Sequence, residues 1–304
     1  MRAGTRVKRS KLLSWAAELS AEVPMPRTGV FFSPALKGGD WPVIGDKFRN
    51  FPDVMAEALS KPGVALYSPR PVDEALLYKV HTANVVADLK VAWYYEGAVH
   101  SVGGCVEALE RICRGEIKNA LVFNVAAGHH AGPSYAWGGT YISCAGPMIV
   151  NAREKFGVRR FAIVDTDSHH GDGDRAVFKG DGDVLHVCFC SRNTVEDEGT
   201  KVDVDVGWYT TDADYLRRVE EEFKPRALEF KPYAVIHFLG HDTCEGDYGS
   251  RGLTPGFYPD LARLVKSIAE EACEGRYIII TGGGARRDVA EYIFPRIVGV
   301  LAEE

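Results

Sequence analysis

The sequence predicts an α/β fold in which a central, mostly parallel sheet is covered by helices on both faces. Short apolar segments typical of buried strands alternate along the chain with longer segments of helical periodicity, and this order produces parallel sheets. Several strand candidates, including 277–280 and, apart from His237, 234–239, are continuously apolar, which is typical of strands buried on both faces.

The individual elements follow from these patterns in chain order. Strands are predicted at 29–33, 64–68, 121–125, 161–165, 184–189, 201–206, 233–239 and 276–281. Helices are predicted at 51–60, 73–90, 102–114 (at the Gly103-Gly104 pair), 144–155, 212–224, 257–273 and 286–300. Residues 1–28 are interpreted as an N-terminal extension with an amphipathic helix at 9–20, and 29–304 as a single domain.

The composition is that of a globular enzyme. The 304 residues are 46% hydrophobic and 26% charged, enough for one large core. The net charge of −6 argues against a nucleic-acid-binding surface.

The seven cysteines show no CxxC pair and are interpreted as reduced thiols. No segment approaches the roughly 20 apolar residues that span a bilayer, and the N-terminus lacks a signal-like core, so a cytoplasmic protein without membrane contact is expected.

Polar and glycine-rich segments follow four of the predicted strands. They are AAGHHAG after 121–125, DTDSHHGDG from 165, GHDTCEGDYG after 234–239, and TGGGARRD after 277–280. Because the loops at the carboxyl ends of parallel strands build the binding sites of such folds, these four loops are expected to form one site.

The second of these loops is rich in metal-binding side chains. Asp165, Asp167 and His169 alternate at the end of a strand, so they can point into one cleft. Asp167 and His169 suit a divalent metal such as zinc, with Asp242 of the third loop as the remaining ligand. The alternative interpretation is a polar turn built by Asp and Gly.

Paired histidines lie beside this candidate metal site. His129 and His130 are expected to act on protons, with Asp165 and Asp172 orienting them, because a carboxylate on one ring nitrogen raises the basicity of the other. A metal lowers the pKa of a coordinated water and polarises a carbonyl. The predicted reaction is hydrolysis of an amide or similar acyl bond.

From about Gly29 to its C-terminus, the chain resembles the histone deacetylase superfamily, including the acetoin-utilisation and acetylpolyamine amidohydrolase relatives with the arginase/deacetylase fold. The resemblance is carried by Val80-His81, Gly103-Gly104, GHHAG at 128–132, DTDSHHGDG at 165–173, GHDTCEGDYGSRGLT at 240–254 and GGG at 282–284. It implies a Zn²⁺ (with Fe²⁺ as an alternative) held by Asp167, His169 and Asp242. It likewise implies tandem active-site histidines at 129 and 130, with Asp165 and Asp172 as their carboxylate partners.

The resemblance also bears on other ions. In the family the counterpart of Asp165 helps to hold a structural monovalent cation, K⁺ or Na⁺, but Cys188 stands where the family has a serine, which puts that ion in doubt. Arginase-like enzymes bind two manganese ions through an Asp-Ala-His-x-Asp pattern; here the carboxylates come first, which favours one catalytic metal. The remaining histidines are assigned to structural or surface roles: His81, His100, His170, His186, His237 and His241.

Two departures from the family pattern concern the substrate pocket. The glycines 283 and 284 are followed by Ala285 where deacetylases usually carry a tyrosine that stabilises the oxyanion, and loss of one such donor costs about 10²–10³ in rate. Gly139 takes the position of an aromatic residue of the acyl-lysine channel, and the segment SRNTVEDEGT after Cys190 is short and acidic, so the channel is expected to be wide or missing.

Several residues are candidates for the missing oxyanion donor. Arg286 or Arg287 could supply a guanidinium, or both could lie on the solvent side of the last helix. Tyr135 and Tyr248 are alternative donors, with loop packing as their other interpretation.

Two functions remain at this point. One is a metal-dependent amidohydrolase acting on a small-molecule or acylated-amine substrate; the other is a catalytically weak metal-binding protein that recognises an acylated or polyamine-like ligand. The retained histidines and carboxylates favour the enzyme. A homo-oligomer is left open.

Overall fold

The computed structural model describes residues 27–38 and 46–303. Within this part of the chain, nine strands form one sheet in the order β2-β1-β3-β9-β8-β4-β5-β7-β6. The neighbouring strands run parallel, except that β6 is antiparallel to β7. The predicted helix at 9–20 lies outside the described residues.

The strands are β1 (Thr28–Phe31), β2 (Val64–Tyr67), β3 (Asn119–Val122), β4 (Phe161–Asp165), β5 (Val184–Cys190), β6 (Thr194–Glu196), β7 (Lys201–Asp205), β8 (Ala234–Leu239) and β9 (Tyr277–Thr281). The α-helices are α1 (Ala56–Leu59), α2 (Glu74–Leu77), α3 (Ala83–Lys90), α4 (Tyr95–Cys113), α5 (Ala145–Phe156), α6 (Asp172–Val177), α7 (Asp212–Phe230), α8 (Phe257–Cys273) and α9 (Arg287–Ala302). Among the described residues, no helix is long and apolar enough to cross a membrane.

The sheet separates two hydrophobic cores, which makes the fold three-layered. Alternate residues of β4 illustrate this: Ala162 and Val164 pack into the core formed with α7, α8 and α9, whereas Phe161 and Ile163 pack into the core formed with α3, α4 and α5. A strand buried on both faces needs apolar residues at successive positions, which explains the continuous apolar runs. The predicted α/β three-layer architecture is confirmed.

The main error of the sequence prediction concerns α4. The prediction placed the start of this helix at 102, but it begins at Tyr95 and carries Gly103 and Gly104 in its interior. A β-carbon on Gly103 would lie 1.9 Å from the carbonyl oxygen of Arg70, so this glycine permits close packing of backbones. The pair is therefore a contact site for the neighbouring loop and not a helix start.

Other boundaries differ for local reasons. The predicted helix 73–90 is two helices, α2 and α3, and the predicted helix 51–60 reduces to a 3₁₀ turn (Asp53–Met55) followed by α1. Helix α7 continues beyond Pro225 because its buried face extends to Phe230. The segment after Cys190 is not simply a loop, since it contains the edge strand β6. Helix α6 was not predicted.

The four candidate loops come together because their strands are neighbours. β3, β9, β8 and β4 are consecutive in the sheet and parallel, so their carboxyl ends lie at one edge. The order of these strands in the sheet differs from their order in the chain, and only the folded sheet brings the loops after β3 and β4 into reach of the loops after β8 and β9.

Candidate active site

Asp167, His169 and Asp242 converge on one point at this edge of the sheet. One ligand atom from each lies within 4.8 Å of the other two. Nδ1 of His169 is 3.1 Å from Oδ1 of Asp167 and 3.0 Å from Oδ2 of Asp242. Both carboxylates are buried, whereas the His169 side chain is 44% exposed and faces the opening.

The donor set fits a divalent cation. Oδ2 of Asp242 is buried and accepts no hydrogen bond of acceptable geometry from any described residue, although the His169 ring is close by. An unsatisfied buried carboxylate oxygen is costly unless a cation completes its environment. Two carboxylate oxygens and one imidazole nitrogen, with the fourth side open, are the ligands of a catalytic zinc-type centre.

The charges of the three residues depend on one another. The adjacent carboxylates of Asp167 and Asp242 raise the pKa of His169 to about 10. Burial and the charge of Asp167 raise the pKa of Asp242. Burial acts in the same direction on Asp167, but His129 and His169 outweigh it and hold the pKa of Asp167 well below its usual range. The site thus concentrates negative charge that only a cation or a proton can balance.

Backbone contacts position the two carboxylates. Oδ2 of Asp167 accepts a hydrogen bond from the Gly283 amide at 2.7 Å, and Oδ1 of Asp242 accepts one from the Ser168 amide at 3.1 Å. The fully buried Arg251 donates to the carbonyl of Ser168 at 2.6 Å and fixes that loop. These contacts hold the ligands in place independently of any ion.

Each of the paired histidines is oriented by its own carboxylate. Nδ1 of His129 is 2.7 Å from Oδ2 of Asp165, and Nδ1 of His130 is 2.6 Å from Oδ1 of Asp172. The second nitrogen of each ring is therefore left for chemistry in the cavity. Nε2 of His129 lies 3.8 Å from Oδ1 of Asp167, directly beside the candidate metal ligands.

The environments of the two histidines push their pKa values apart. Burial opposes the charged form of His129, but Asp165 and Asp167 outweigh it and raise the pKa to about 9. Burial and the neighbouring His129 lower the pKa of His130, against the pull of Asp172. One ring is thus suited to carry a proton and the other to accept one, as in a general acid–base pair.

His129, His130 and two of the candidate metal ligands, Asp167 and His169, line a cavity of about 420 Å³, a size typical of small-ligand sites. Its walls include Gly139 and Gly283, which the sequence analysis assigned to the pocket, and four aromatic residues: Trp137, Tyr141, Phe238 and Tyr248. A cavity whose wall combines these aromatic rings with histidine and carboxylate side chains can hold a small molecule that has both apolar and polar parts.

Trp137 is a site residue that the sequence analysis missed. Its indole Nε1 donates to Oδ2 of Asp172 at 2.9 Å, and its ring lies 4.2 Å from that of His130. It therefore helps to position the Asp172 carboxylate that orients His130, and its ring forms part of the cavity wall.

Asp174 was also missed. Burial raises the pKa of its carboxyl group to about 7, and its amide donates to the carbonyl of His129. Neither Trp137 nor Asp174 lies in a segment whose hydrophobic periodicity would have marked it.

Three of the candidate pocket residues have partners outside the cavity. The guanidinium of Arg286 binds Asp288 and the carbonyl of Glu245 at the surface, so it does not face the cavity. The Tyr135 hydroxyl donates to the carbonyl of Asp172 and is not part of the cavity wall. Ala285 is not part of the wall either; its amide donates to Asp247, which anchors the glycine loop.

Tyr248 and Gly284 remain at the site. The amide of Gly284 donates to Oη of Tyr248 at 2.9 Å. A β-carbon on Gly283 would lie 2.7 Å from the same Oη and 2.6 Å from Oδ2 of Asp167, so the tyrosine hydroxyl lies close to the candidate metal ligands.

A comparison with protein-family models matches residues 91–301 to the histone deacetylase domain. The chain belongs to this family. The match covers α4 through α9 and includes every residue of the candidate site described above, which confirms the resemblance inferred from the sequence motifs.

Individual relatives agree with this assignment. The chain is 30% identical over 203 residues to a probable deacetylase of Archaeoglobus fulgidus, covering 62% of this chain and 56% of that protein. It is 30% identical to the histone deacetylase HDA1 of Saccharomyces cerevisiae (64% of this chain, 30% of that protein). It is 28% identical to a histone deacetylase-like amidohydrolase of Pseudomonas aeruginosa (62% and 54%). The matched region thus spans between about a third and just over half of these relatives.

The fold agrees with a solved structure as well. The crystal structure of the HDA15 HD domain superimposes with a TM-score of 0.78, covering 90% of this chain and 89% of that one at 23% sequence identity. At this identity the likeness establishes the shared architecture, and the chemistry is argued from the side chains.

Proposed function

We propose that the protein is a metal-dependent amidohydrolase that cleaves a linear acyl amide of a small-molecule or acylated-amine substrate. Family membership supports the deacetylase type of reaction. The observation that carries the proposal is the placement of two carboxylate-oriented histidines beside an Asp-His-Asp donor set in one cavity.

Asp167, His169 and Asp242 would hold the ion, with Zn²⁺ or Fe²⁺ as the best fit to two oxygens and one nitrogen. A bound ion of this kind polarises the acyl carbonyl and lowers the pKa of a water molecule towards neutrality. His130 would accept a proton from the attacking water at Nε2, because its Nδ1 is engaged by Asp172, and would then pass this proton to the departing amine nitrogen. His129, whose pKa is raised, would keep its proton near the developing negative charge.

We further propose that Tyr248 replaces the tyrosine that the family carries after its glycine run. Burial and the carboxylates of Asp242 and Asp167 raise the pKa of Tyr248, so its hydroxyl stays protonated. Its oxygen already accepts the Gly284 amide hydrogen, which leaves its own hydrogen for the cavity. Its ring stacks on His169 with centroids 5.8 Å apart, on the metal side of the cavity.

The shape of the cavity supports an acyl group or carrier unlike acetyl-lysine in a protein. Gly138 and Gly139 leave one wall without a side chain, whereas Trp137 provides an aromatic wall next to His130.

The seven cysteines, all free thiols, support a reducing, cytoplasmic setting.

The decisive experiment combines metal analysis with a substrate panel. Purified protein should contain about one zinc or iron at this site per chain; Asp242→Ala should lose it, and His130→Ala should keep it but lose turnover. Fluorogenic acetyl-lysine, acetylpolyamine and trifluoroacetyl-lysine amides test the reaction. The side chain of Arg287 is 47% exposed on α9, lies 3.8 Å from Glu291 and is not part of the cavity wall, so it is not the oxyanion donor. Arg287→Ala is therefore the matched control and should change neither quantity.

The alternative is a metal-binding protein that recognises an acylated amine or polyamine without efficient turnover. The observation in its favour is Ala285, which removes the usual oxyanion donor. Full metal content combined with no hydrolysis of any of the three substrate types, and with saturable binding of an acetylpolyamine, would favour this alternative and refute the hydrolase.

A further inference from the structure

A second cluster of metal-binding side chains lies next to the proposed catalytic centre. It consists of His170, Cys188, Cys190 and Asp203, whose ligand atoms all lie within 4.8 Å of one another. None of these residues takes part in the chemistry proposed above. The sequence analysis assigned His170 to a structural role and considered Cys188 only as a replacement for a serine.

The sheet itself brings these side chains together. Cys188 and Cys190 are two residues apart on β5, so both point to the same face. Asp203 on β7 is the register partner of Cys188 and faces the same way. His170 reaches this face from the loop after β4, with Nδ1 3.8 Å from Sγ of Cys190 and 3.1 Å from Oδ1 of Asp203.

We propose that His170, Cys188, Cys190 and Asp203 form a second metal site, which binds Zn²⁺ or a similar thiolate-preferring divalent ion. Tetrahedral bonds of about 2.0–2.3 Å place neighbouring ligand atoms roughly 3.3–3.8 Å apart, and the distances from Nδ1 of His170 to Cys190 and Asp203, 3.8 and 3.1 Å, are close to this range. Two thiolates, an imidazole and a carboxylate form a closed four-ligand set typical of structural zinc sites.

The surroundings support a permanent ligand role for Asp203. Its Oδ2 accepts a hydrogen bond from Thr194 at 2.6 Å, and its Oδ1 contacts the Arg175 guanidinium at 2.6 Å. Such contacts are those that orient a ligating carboxylate. Two thiolates and one carboxylate carry three negative charges, which a divalent ion together with Arg175 balances, so the buried cluster becomes neutral overall.

The nature of the donors distinguishes this site from the catalytic one. Cysteine sulfur is a soft ligand that disfavours K⁺ or Na⁺ and favours zinc-like ions. Cys188 and Cys190 are fully buried, whereas the His170 side chain is 13% exposed and offers a route of entry. Because His170 directly follows the proposed ligand His169, an ion here would clamp the catalytic loop to the β5–β7 edge of the sheet.

Cobalt substitution tests the site without relying on activity. Thiolate–Co²⁺ bonds give a ligand-to-metal charge-transfer band in the near ultraviolet, and the Asp-His-Asp set contains no sulfur. The full chain, purified without oxygen, stripped with a chelator and titrated with Co²⁺, should show this band and take up a second equivalent of metal. Cys190→Ser should lose the band and that equivalent, and Asp242→Ala should lose only the other equivalent.

Cys113→Ser is the matched control, because this half-buried thiol at the end of α4 lies outside the cluster; it should keep the band. Asp203→Asn, which preserves shape, serves as a second variant should Cys190→Ser fail to fold, and should weaken Co²⁺ binding. Absence of the band from wild-type protein that binds Co²⁺, or a Cys188–Cys190 disulfide in the anaerobically purified chain, would overturn the proposal.

Discussion

Replacing Tyr248 by phenylalanine tests whether this hydroxyl supplies the missing oxyanion donor. The substitution removes one oxygen that lies beside Gly283 and the Asp167 carboxylate and leaves the ring against His169. Loss of one oxyanion donor typically lowers kcat by about 10²–10³, and we expect that loss for an acetyl amide. The loss should be smaller for a trifluoroacetyl amide, because fluorine itself stabilises the developing oxyanion.

The same substitution has a separate structural effect that must be measured. The Gly284 amide loses its acceptor, which lowers the free energy of unfolding by about 1–3 kcal/mol if no water replaces it. Denaturant unfolding measures this loss, and metal analysis verifies that the centre stays loaded. Steady-state kinetics on both amides then isolate the effect on catalysis.

Tyr135→Phe is the matched control for Tyr248→Phe. Both tyrosines are similarly exposed, at 39% and 45%, but the Tyr135 hydroxyl donates to the carbonyl of Asp172 outside the cavity. If the two variants lowered kcat equally, or if Tyr248→Phe had the same effect on the acetyl and trifluoroacetyl amides, the assignment of Tyr248 as the donor would be wrong.

Three further predictions follow from individual contacts. Asp172→Asn removes the charge that orients His130. Because a hydrogen bond to a charged group contributes about 1.5–3 kcal/mol, kcat should fall about 10- to 150-fold while the metal content stays the same. An unchanged kcat would contradict the positioning role of Asp172. The pKa of His169 is raised to about 10 in the metal-free protein, so Zn²⁺ must displace a proton when it binds. The affinity of the protein for Zn²⁺, measured by competition with a chromophoric chelator, should therefore rise about tenfold per pH unit between about pH 6 and 8. An affinity that does not change with pH would exclude this proton release. Gly103→Ala would place a β-carbon against the Arg70 carbonyl and should lower the free energy of unfolding by about 1–3 kcal/mol. Gly182→Ala is the control, because a β-carbon at this position meets open space, and it should change the free energy of unfolding little.

The parts of the molecule that could be predicted from the sequence are those governed by local rules. Apolar runs identified eight of the nine strands in the described residues, and the rule that parallel strand ends share an edge predicted that His129, Asp167 and Asp242 lie close together. The short strand β6 has an exposed burial pattern and lacks the hydrophobic signal of the others.

The errors arose where tertiary contacts override local signals. Gly103 and Gly104 have low helix propensity, yet the approach of the Arg70 backbone requires a residue without a side chain at 103. Trp137 lies in the long segment between β3 and α5, where no periodicity reveals that its indole binds the Asp172 carboxylate. The surface position of Arg286, one of the two alternatives that the sequence left open, is fixed by contacts with Asp288 and the carbonyl of Glu245.

The cluster at Cys188 shows how strand register can create chemistry that no single segment contains. Cys188 and Cys190 are separated by one residue, but Asp203 faces them only because β7 pairs with β5 in the register that sets Cys188 opposite Asp203. A shift of the β5–β7 register by one residue would turn Asp203 to the other face of the sheet and separate it from Cys188 and Cys190. His170 enters from a different loop, next to His169, so the proposed second ion and the catalytic ion would share one short segment of chain. Loss of the second ion should therefore loosen His169, and the affinity of the catalytic centre for its own metal should fall in Cys190→Ser but not in Cys113→Ser.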